Sequence, residues 1–375
     1  MKRTLIVATT SYAGMGPYVS EIVNNFSKDD NIYYFFHDYE DDFFLKNVKK
    51  ELHDKSYFYK RANSKINKVI DLLPIKPIWH NIVLDICKKY DINVVHFING
   101  PGDVALQKSL ETKDIKCVST IHDLHPHESK KEWYKELRAR TRYKRFNKNL
   151  LYSRNIITNS LSQYNELKQN YDMKNIYYHS FPTLVSKIIQ KGQELPMELA
   201  CLRKPYILFF GRIEEYKGIS LLYRAFTESP NLFKHYSLVI AGKGNLPFHR
   251  ISNEENVIIL NRYIKDTEIA NMYKNAACVV YPYISATQSG VLSLAYYFKT
   301  PLLASDVPFF KDNIQQANSG LLFKRGDISD LKIKILQLLN SDTSMQVEKG
   351  KEYYDKYYDG IAIRSKLIDI YNDIL

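Results

Sequence analysis

Short apolar runs rich in β-branched and aromatic residues alternate with stretches whose apolar positions recur every third or fourth residue. The first pattern marks strands and the second amphipathic helices. Their alternation predicts parallel sheets wrapped by helices, an α/β fold. In the first half the runs predict strands at Thr4–Thr9, Ile32–Phe36, Val94–Ile98, Cys117–Ile121, Ile156–Thr158 and Ile176–Tyr178. In the second half they predict Tyr206–Phe210, Leu238–Ala241, Val257–Leu260, Cys278–Tyr281, Leu302–Ala304 and Leu321–Phe323. Pro17 sits in the first turn of the first helix, whose apolar face is Val19, Ile22, Val23 and Phe26. Periodicity fades between Phe181 and Lys204, where Pro182, Gly192 and Pro196 fall. The expected organisation is an N-terminal domain over 1–180, a linker over 181–204 and a second domain over 205–358. Two such domains would enclose a cleft, with ligands at the carboxyl ends of the strands.

At 375 residues the chain has room for two cores, and 45% of its residues are hydrophobic. No run of about eighteen apolar residues offers a membrane span. The opening MKRTLIVATTSYAG has basic residues and a short apolar run, and it reads as a first strand rather than a signal peptide. Cys87, Cys117, Cys201 and Cys278 are scattered without paired spacing, as expected of reduced cysteines in a cytosolic protein. The net charge of +12 is concentrated. The segment Lys130–Arg154 holds ten basic and two acidic residues, with Trp133, Tyr134, Phe146 and Leu151 among them. Such a helix can lie on anionic lipid or nucleic acid, or present only a solvated face.

Candidate chemistry follows the strands. Arg212 and Lys217, in FFGRIEEYKG, come just after a strand. Ala286-Thr287-Gln288-Ser289-Gly290 opens a helix with Val291, Leu294, Ala295 and Phe298 on its buried face. Two cations and a helix N-terminus suit a diphosphate. The alternatives are a surface salt-bridge cluster with Glu214 and Glu215, and a helix capped by Thr287 or Ser289. Gly14 and Gly16 follow the first strand but lack the third glycine of a dinucleotide fingerprint, which argues against a nicotinamide cofactor. Gly242 and Gly244 follow another strand, a weak signal. His122 and Asp123 end a strand in STIHDLHPHE, where His122 can hydrogen-bond a sugar hydroxyl. His125, His127 and Glu128 lie nearby, but the spacing fits no strong zinc pattern, so no metal is expected.

At these residues the second half resembles glycosyltransferase family 4, the retaining nucleotide-sugar transferases of the two-domain GT-B fold, in its ATQSGV-type branch. The matching stretches are GRIEEYKGISLLYRAF, VIAGKGN, NRYIKDTEIANMYKNAACVVYP, ATQSGVLSLAYYFKTPLLASD and SGLLF. The first half agrees more loosely, through its early glycine turn, His122-Asp123 and IITNS at 156–160. The resemblance implies two Rossmann-like domains facing a deep cleft, with a closing helix over 359–375 crossing back to the first. It implies Arg212, Lys217 and His122 as catalytic residues, the cations holding the diphosphate and His122 beside the transferred sugar. It implies donor contacts at Gly14, Gly16, Gly242, Gly244, Thr287, Gln288, Ser289 and Gly290, the base near Arg262 and Tyr263, and Asp123 at the sugar or acceptor. Many members of the family carry two glutamates where this chain has Ala286 and Leu294. Gln288 is the candidate for part of their work.

The expected reaction is retaining transfer of a sugar from a nucleoside-diphosphate donor to a glycan or polyprenyl-linked acceptor, in surface polysaccharide biosynthesis. No cofactor is required beyond the substrate. The expected location is cytoplasmic, at the inner face of the membrane, with Arg138, Arg140, Arg142, Lys144 and Arg145 on anionic lipid and no nucleic-acid partner. Two other readings stay open: a nucleotide-sugar epimerase or hydrolase of the same fold, and a non-catalytic protein that binds membrane or nucleic acid.

Overall fold

A computed structural model describes the chain except residues 1, 12–14, 39–41, 61–76, 125–132, 253, 255 and 287, and the side chains of 133–140 and 142. The chain divides into two units, residues 1–182 with 360–375, and residues 183–359.

The first unit is built on a seven-stranded parallel sheet. Its strands are β1 (Thr4–Ala8), β2 (Ile32–Asp38), β3 (Ser56–Lys60), β4 (Val94–Phe97), β5 (Lys116–Ile121), β6 (Asn155–Thr158) and β7 (Asn175–Tyr178). Their order is β3-β2-β1-β4-β5-β6-β7. Side chains alternate across the sheet, so both faces need cover. Ile6, Ala8, Tyr34 and Phe36 pack with Val19, Val23 and Leu367 on one face. Leu5, Val7, Phe35 and Val95 pack with Val83, Leu106 and Leu110 on the other. The sequence reading placed no strand at β3. That edge strand is half-exposed, and its SYFYK lacks the aliphatic run that marks its neighbours.

The second unit has a six-stranded parallel sheet: β8 (Tyr206–Phe210), β9 (Ser237–Ala241), β10 (Val257–Leu260), β11 (Ala276–Tyr281), β12 (Leu302–Ser305) and β13 (Leu321–Phe323). The order is β10-β9-β8-β11-β12-β13. Val185, Ile189 and Leu199, from the stretch expected as a linker, are buried in this unit's core. They come from a helix at Lys187–Lys191 and a 3-10 turn at Met197–Leu199.

The closing helix Gly360–Asp373 packs in the first unit, with Ile363, Leu367, Ile370 and Tyr371 buried at helical spacing. Arg364 holds Asp30 with two donors, and the Tyr177 hydroxyl donates to Asp373 at 2.7 Å. The Tyr371 hydroxyl lies 2.7 Å from His96 Nδ1, and His96 Nε2 lies 2.7 Å from Thr120 Oγ1. Burial, with repulsion from His179 and His122, pulls His96 down to about 3. Burial likewise pulls His179 down to about 4, against its hydrogen bond to Ser180 O. Both rings are therefore neutral in the fold at physiological pH.

A depressed folded pKa makes stability complete above the unfolded value and lost as pH falls. The unfolded chain takes up these protons near pH 6.5, the folded chain only near 4 and 3. Each histidine then costs about 1.4 kcal/mol per pH unit across that window. The urea midpoint should fall clearly between pH 7.5 and 5.5, and less so in a His96→Gln, His179→Gln variant. A wild-type midpoint that holds across this range would contradict the assignment.

Candidate active site

In the second unit β9 lies on one side of β8 and β11 on the other. The direction of winding reverses between β8 and β11, and open parallel sheets bind ligands at the carboxyl ends beside such a reversal. β8 runs there into Gly211, Arg212 and the 3-10 turn Glu215–Lys217, and β11 runs into Pro282–Gly290. Two motifs far apart in sequence thus meet. Ile284 N donates to Tyr216 O at 2.7 Å. Gly218 has φ +64°, and a Cβ there would overlap Pro282 O, so only glycine lets the two loops touch.

Lys217 is buried, with 7% of its surface exposed. Its Nζ lies 5.2 Å from the Tyr283 ring centroid and 5.9 Å from that of Tyr216. Among the described residues it has no ion pair. Burial lowers its pKa from the ordinary lysine value, opposed by Tyr216 and Glu214 and reinforced by Arg212. A buried, uncompensated ammonium is costly, and a bound anion relieves the cost. Gly211 makes the room, since a Cβ on it would sit 2.9 Å from Nζ. Arg212 is different. It is exposed and pairs with Glu214 at 3.1 Å, the surface bridge that the sequence left open. Such a pair is worth little, so the guanidinium is easily redirected.

The turn 286–290 leads into the helix Val291–Tyr297, which starts at Gly290 with no side-chain cap. Ser289 Oγ is 3.5 Å from the Tyr283 hydroxyl. Gln288 Oε1 is shielded from solvent and has no hydrogen-bond partner among the described residues, an open acceptor in the turn. Thr287 lies outside the described residues. The glycines serve packing. Gly242 and Gly244 sit against the backbone of Gly211 and Ile213, where a Cβ would overlap a carbonyl oxygen. A Cβ on Gly290 would meet Leu184 at 2.7 Å, and one on Gly16, in the first unit, would meet Phe43 at 2.6 Å. Gly14 lies outside the described residues.

Arg262 is committed elsewhere. Its guanidinium forks onto both Glu198 (2.7 and 2.9 Å) and Glu268 (2.8 and 2.9 Å). It clamps the β10–helix loop to the Met197–Leu199 turn and is not a free cation for a ligand. Tyr263 beside it is 72% exposed.

In the first unit His122 follows β5, buried edge-on against Tyr18, with ring centroids 4.5 Å apart. Its Nε2 donates to Ile98 O at 3.0 Å, so Nδ1 is the lone-pair nitrogen, and among the described residues it has no partner. Burial lowers its pKa, opposed by the Ile98 bond and the Asp123 charge. Gln163 fixes this turn, donating to His122 O at 2.9 Å and accepting from Leu124 N at 3.1 Å. His125, His127 and Glu128 lie outside the described residues. Arg138, Arg140 and Arg142 belong to the helix Trp133–Tyr152 with their side chains undescribed, and Lys144 and Arg145 are exposed on it. The sequence reading missed Tyr216 and Tyr283 around Lys217. An aromatic residue directly before that lysine, and another after Pro282, was the available signal.

Two units with this strand order define a GT-B fold. Residues 197–356, inside the second unit, match the family described as "Glycosyl transferases group 1". The structure is similar to sucrose-phosphate synthase from Thermosynechococcus elongatus, at TM-score 0.70 and 15% identity, covering 100% of this chain and 99% of that one. It is similar to HepE from Anabaena in complex with UDP, at TM-score 0.70 and 14% identity, covering 100% of both chains. It is also similar to the lipopolysaccharide outer core galactosyltransferase WaaB, at TM-score 0.64 and 15% identity, again covering 100% of both. No curated protein sequence matches the chain.

Proposed function

We propose that the protein is a retaining glycosyltransferase that moves a sugar from a nucleoside-diphosphate donor to a glycan or lipid-linked acceptor in surface polysaccharide synthesis. The observation that carries this reading is the buried Lys217 ammonium, without a counter-ion among the described residues, at the edge where β8 and β11 diverge. The family match over 197–356 and the structural neighbours support glycosyl transfer. The UDP bound to HepE supports a nucleotide donor, and the lipopolysaccharide role in WaaB's name supports a surface glycan.

Breaking the anomeric C–O bond leaves negative charge on the diphosphate and positive charge on the sugar. Lys217, already in place, and Arg212, released from Glu214, neutralise the departing diphosphate without a metal. The acceptor hydroxyl attacks the anomeric carbon from the face that the diphosphate leaves and passes its proton to the departing diphosphate oxygen, so the new C–O bond replaces the broken one with configuration retained. Gln288 Oε1 is assigned a donor hydroxyl, and His122 Nδ1, as a hydrogen-bond acceptor, a hydroxyl of the transferred sugar. Asp123 stands beside it for the sugar or acceptor. A hydrolase or epimerase of the same fold would act on the donor with no acceptor present, and product analysis separates the readings.

Membrane docking belongs to the same proposal. Phe146 and Leu150 of the helix Trp133–Tyr152 pack toward the sheet, but Leu151 is 63% exposed. Beside it runs a groove of about 590 Å³ whose lining includes Val104, Lys108, Lys144, Lys148, Leu151 and Tyr152. Its three lysines make no ion pair among the described residues, and Glu111 is engaged by the Tyr152 hydroxyl at 2.5 Å. Cations over an apolar floor suit anionic lipid. Among the described residues no helix is long and apolar enough to cross a membrane.

Lys217→Ala and Arg212→Ala should each lower turnover by about two to three orders of magnitude, the effect of losing one transition-state donor. Near-normal turnover in both would sink the assignment. Lys108, Lys144 and Lys148 changed together to Gln should weaken binding to anionic vesicles about a hundredfold, at about 1 kcal/mol per cation. Equal pelleting with neutral and anionic vesicles would remove the docking reading.

A further inference from the structure

The proposed transfer needs Lys217 charged and aimed, yet among the described residues nothing acidic is bonded to it. A lysine that loses water without gaining a carboxylate tends to give up its proton. What surrounds the ammonium is aromatic. The Tyr283 ring lies 5.2 Å away and the Tyr216 ring 5.9 Å away. The two rings stand nearly perpendicular, at 88°, with centroids 6.0 Å apart. An ammonium within about 6 Å of a ring centroid is attracted to the negative face of the ring. The corner between the rings therefore favours the charged form and fixes where it sits.

Tyr283 is itself held rigidly. It is 1% exposed, its ring meets Phe310 at 5.0 Å, and Ser305 Oγ donates to its carbonyl at 2.6 Å. Its hydroxyl lies 3.5 Å from Ser289 Oγ in the turn that opens the next helix. One side chain thus touches both halves of the candidate diphosphate site.

We infer that Tyr283, assisted by Tyr216, is the positioning residue of this site: its ring face holds the Lys217 ammonium, to which no carboxylate is bonded among the described residues. This rests on the glycosyl-transfer reading above. An aromatic holder has a chemical consequence. A carboxylate would cancel the lysine's charge and compete with the diphosphate for it, whereas a ring holds the cation and leaves its full charge to the ligand.

The charged and titratable groups facing Lys217 are Tyr216 and Glu214, which favour its protonated form, and Arg212, which opposes it. Tyr283 titrates far above neutrality because it is buried. Deprotonation of Lys217 therefore sets the alkaline limb of anion affinity, below the pH of an ordinary lysine. Removing a ring that favours the cation moves this limb further down.

The probe is inorganic pyrophosphate, which is independent of the nucleotide base, with affinity measured by calorimetry from pH 7 to 10. Lys217→Ala should abolish the alkaline limb and most of the affinity. Tyr283→Leu should weaken binding about tenfold and shift the limb down by about one pH unit, while Tyr283→Phe, which keeps the ring, restores both to within about threefold. Tyr216→Leu, at a residue 39% exposed and tolerant of change, should shift the limb in the same direction. If Lys217→Ala binds pyrophosphate as the wild type does, the diphosphate site itself is wrong and the inference falls with it. If Lys217→Ala loses binding while Tyr283→Leu and Tyr216→Leu keep both affinity and limb, the site stands and the aromatic pair has no part in it.

Discussion

A lysine ammonium that is taken out of water, with no counter-ion among the described residues, is the constraint on which the edge of the second unit between β8 and β11 depends. Its position explains several features that have no other common cause. Gly211 lacks a side chain because Nζ occupies that space. Gly218 lacks one because the Lys217 turn must touch Pro282. Tyr283 is buried and aromatic because its face must meet a cation. Gly242 and Gly244 hold the β9 loop against Gly211 and Ile213, which keeps the floor of the site from moving. The folding cost of this arrangement is recovered when an anion arrives, which is how a site is built to prefer a ligand over water.

The strands were legible because parallel sheets buried on both faces need continuous apolar runs, and all six strands of the second unit show them. β3 was not legible, because its SYFYK sits half-exposed at a sheet edge where packing makes weaker demands. Arg212 and Lys217 stand close together in sequence and read alike as cations. Only the fold separates the exposed one, paired to Glu214, from the buried one, unpaired among the described residues. The resemblance implied that Arg262 lies near the base, but its partner Glu198, 64 residues away in sequence, is visible only once the loops are packed. The glycines were legible as close approaches, but what approaches them is this chain's own backbone and side chains.

The first unit repeats the strand order of the second with different chemistry. Its buried polar groups include three histidines, His96, His122 and His179, whose burial favours the neutral ring. His96 is tied to Tyr371 of the closing helix and to Thr120, and His179 lies within hydrogen-bond reach of Asn159, whose Oδ1 accepts from Tyr18. His122 keeps its lone pair turned to no partner among the described residues.

The central claim is that Lys217 waits for a diphosphate. Thermal melting with uridine, guanosine and adenosine diphosphates and their monophosphates tests it most directly. The account predicts that one diphosphate raises the melting temperature in proportion to the logarithm of its concentration. It also predicts that the matching monophosphate does far less and that Lys217→Ala loses the rise. No shift with any diphosphate, or the same shift in Lys217→Ala, would contradict it.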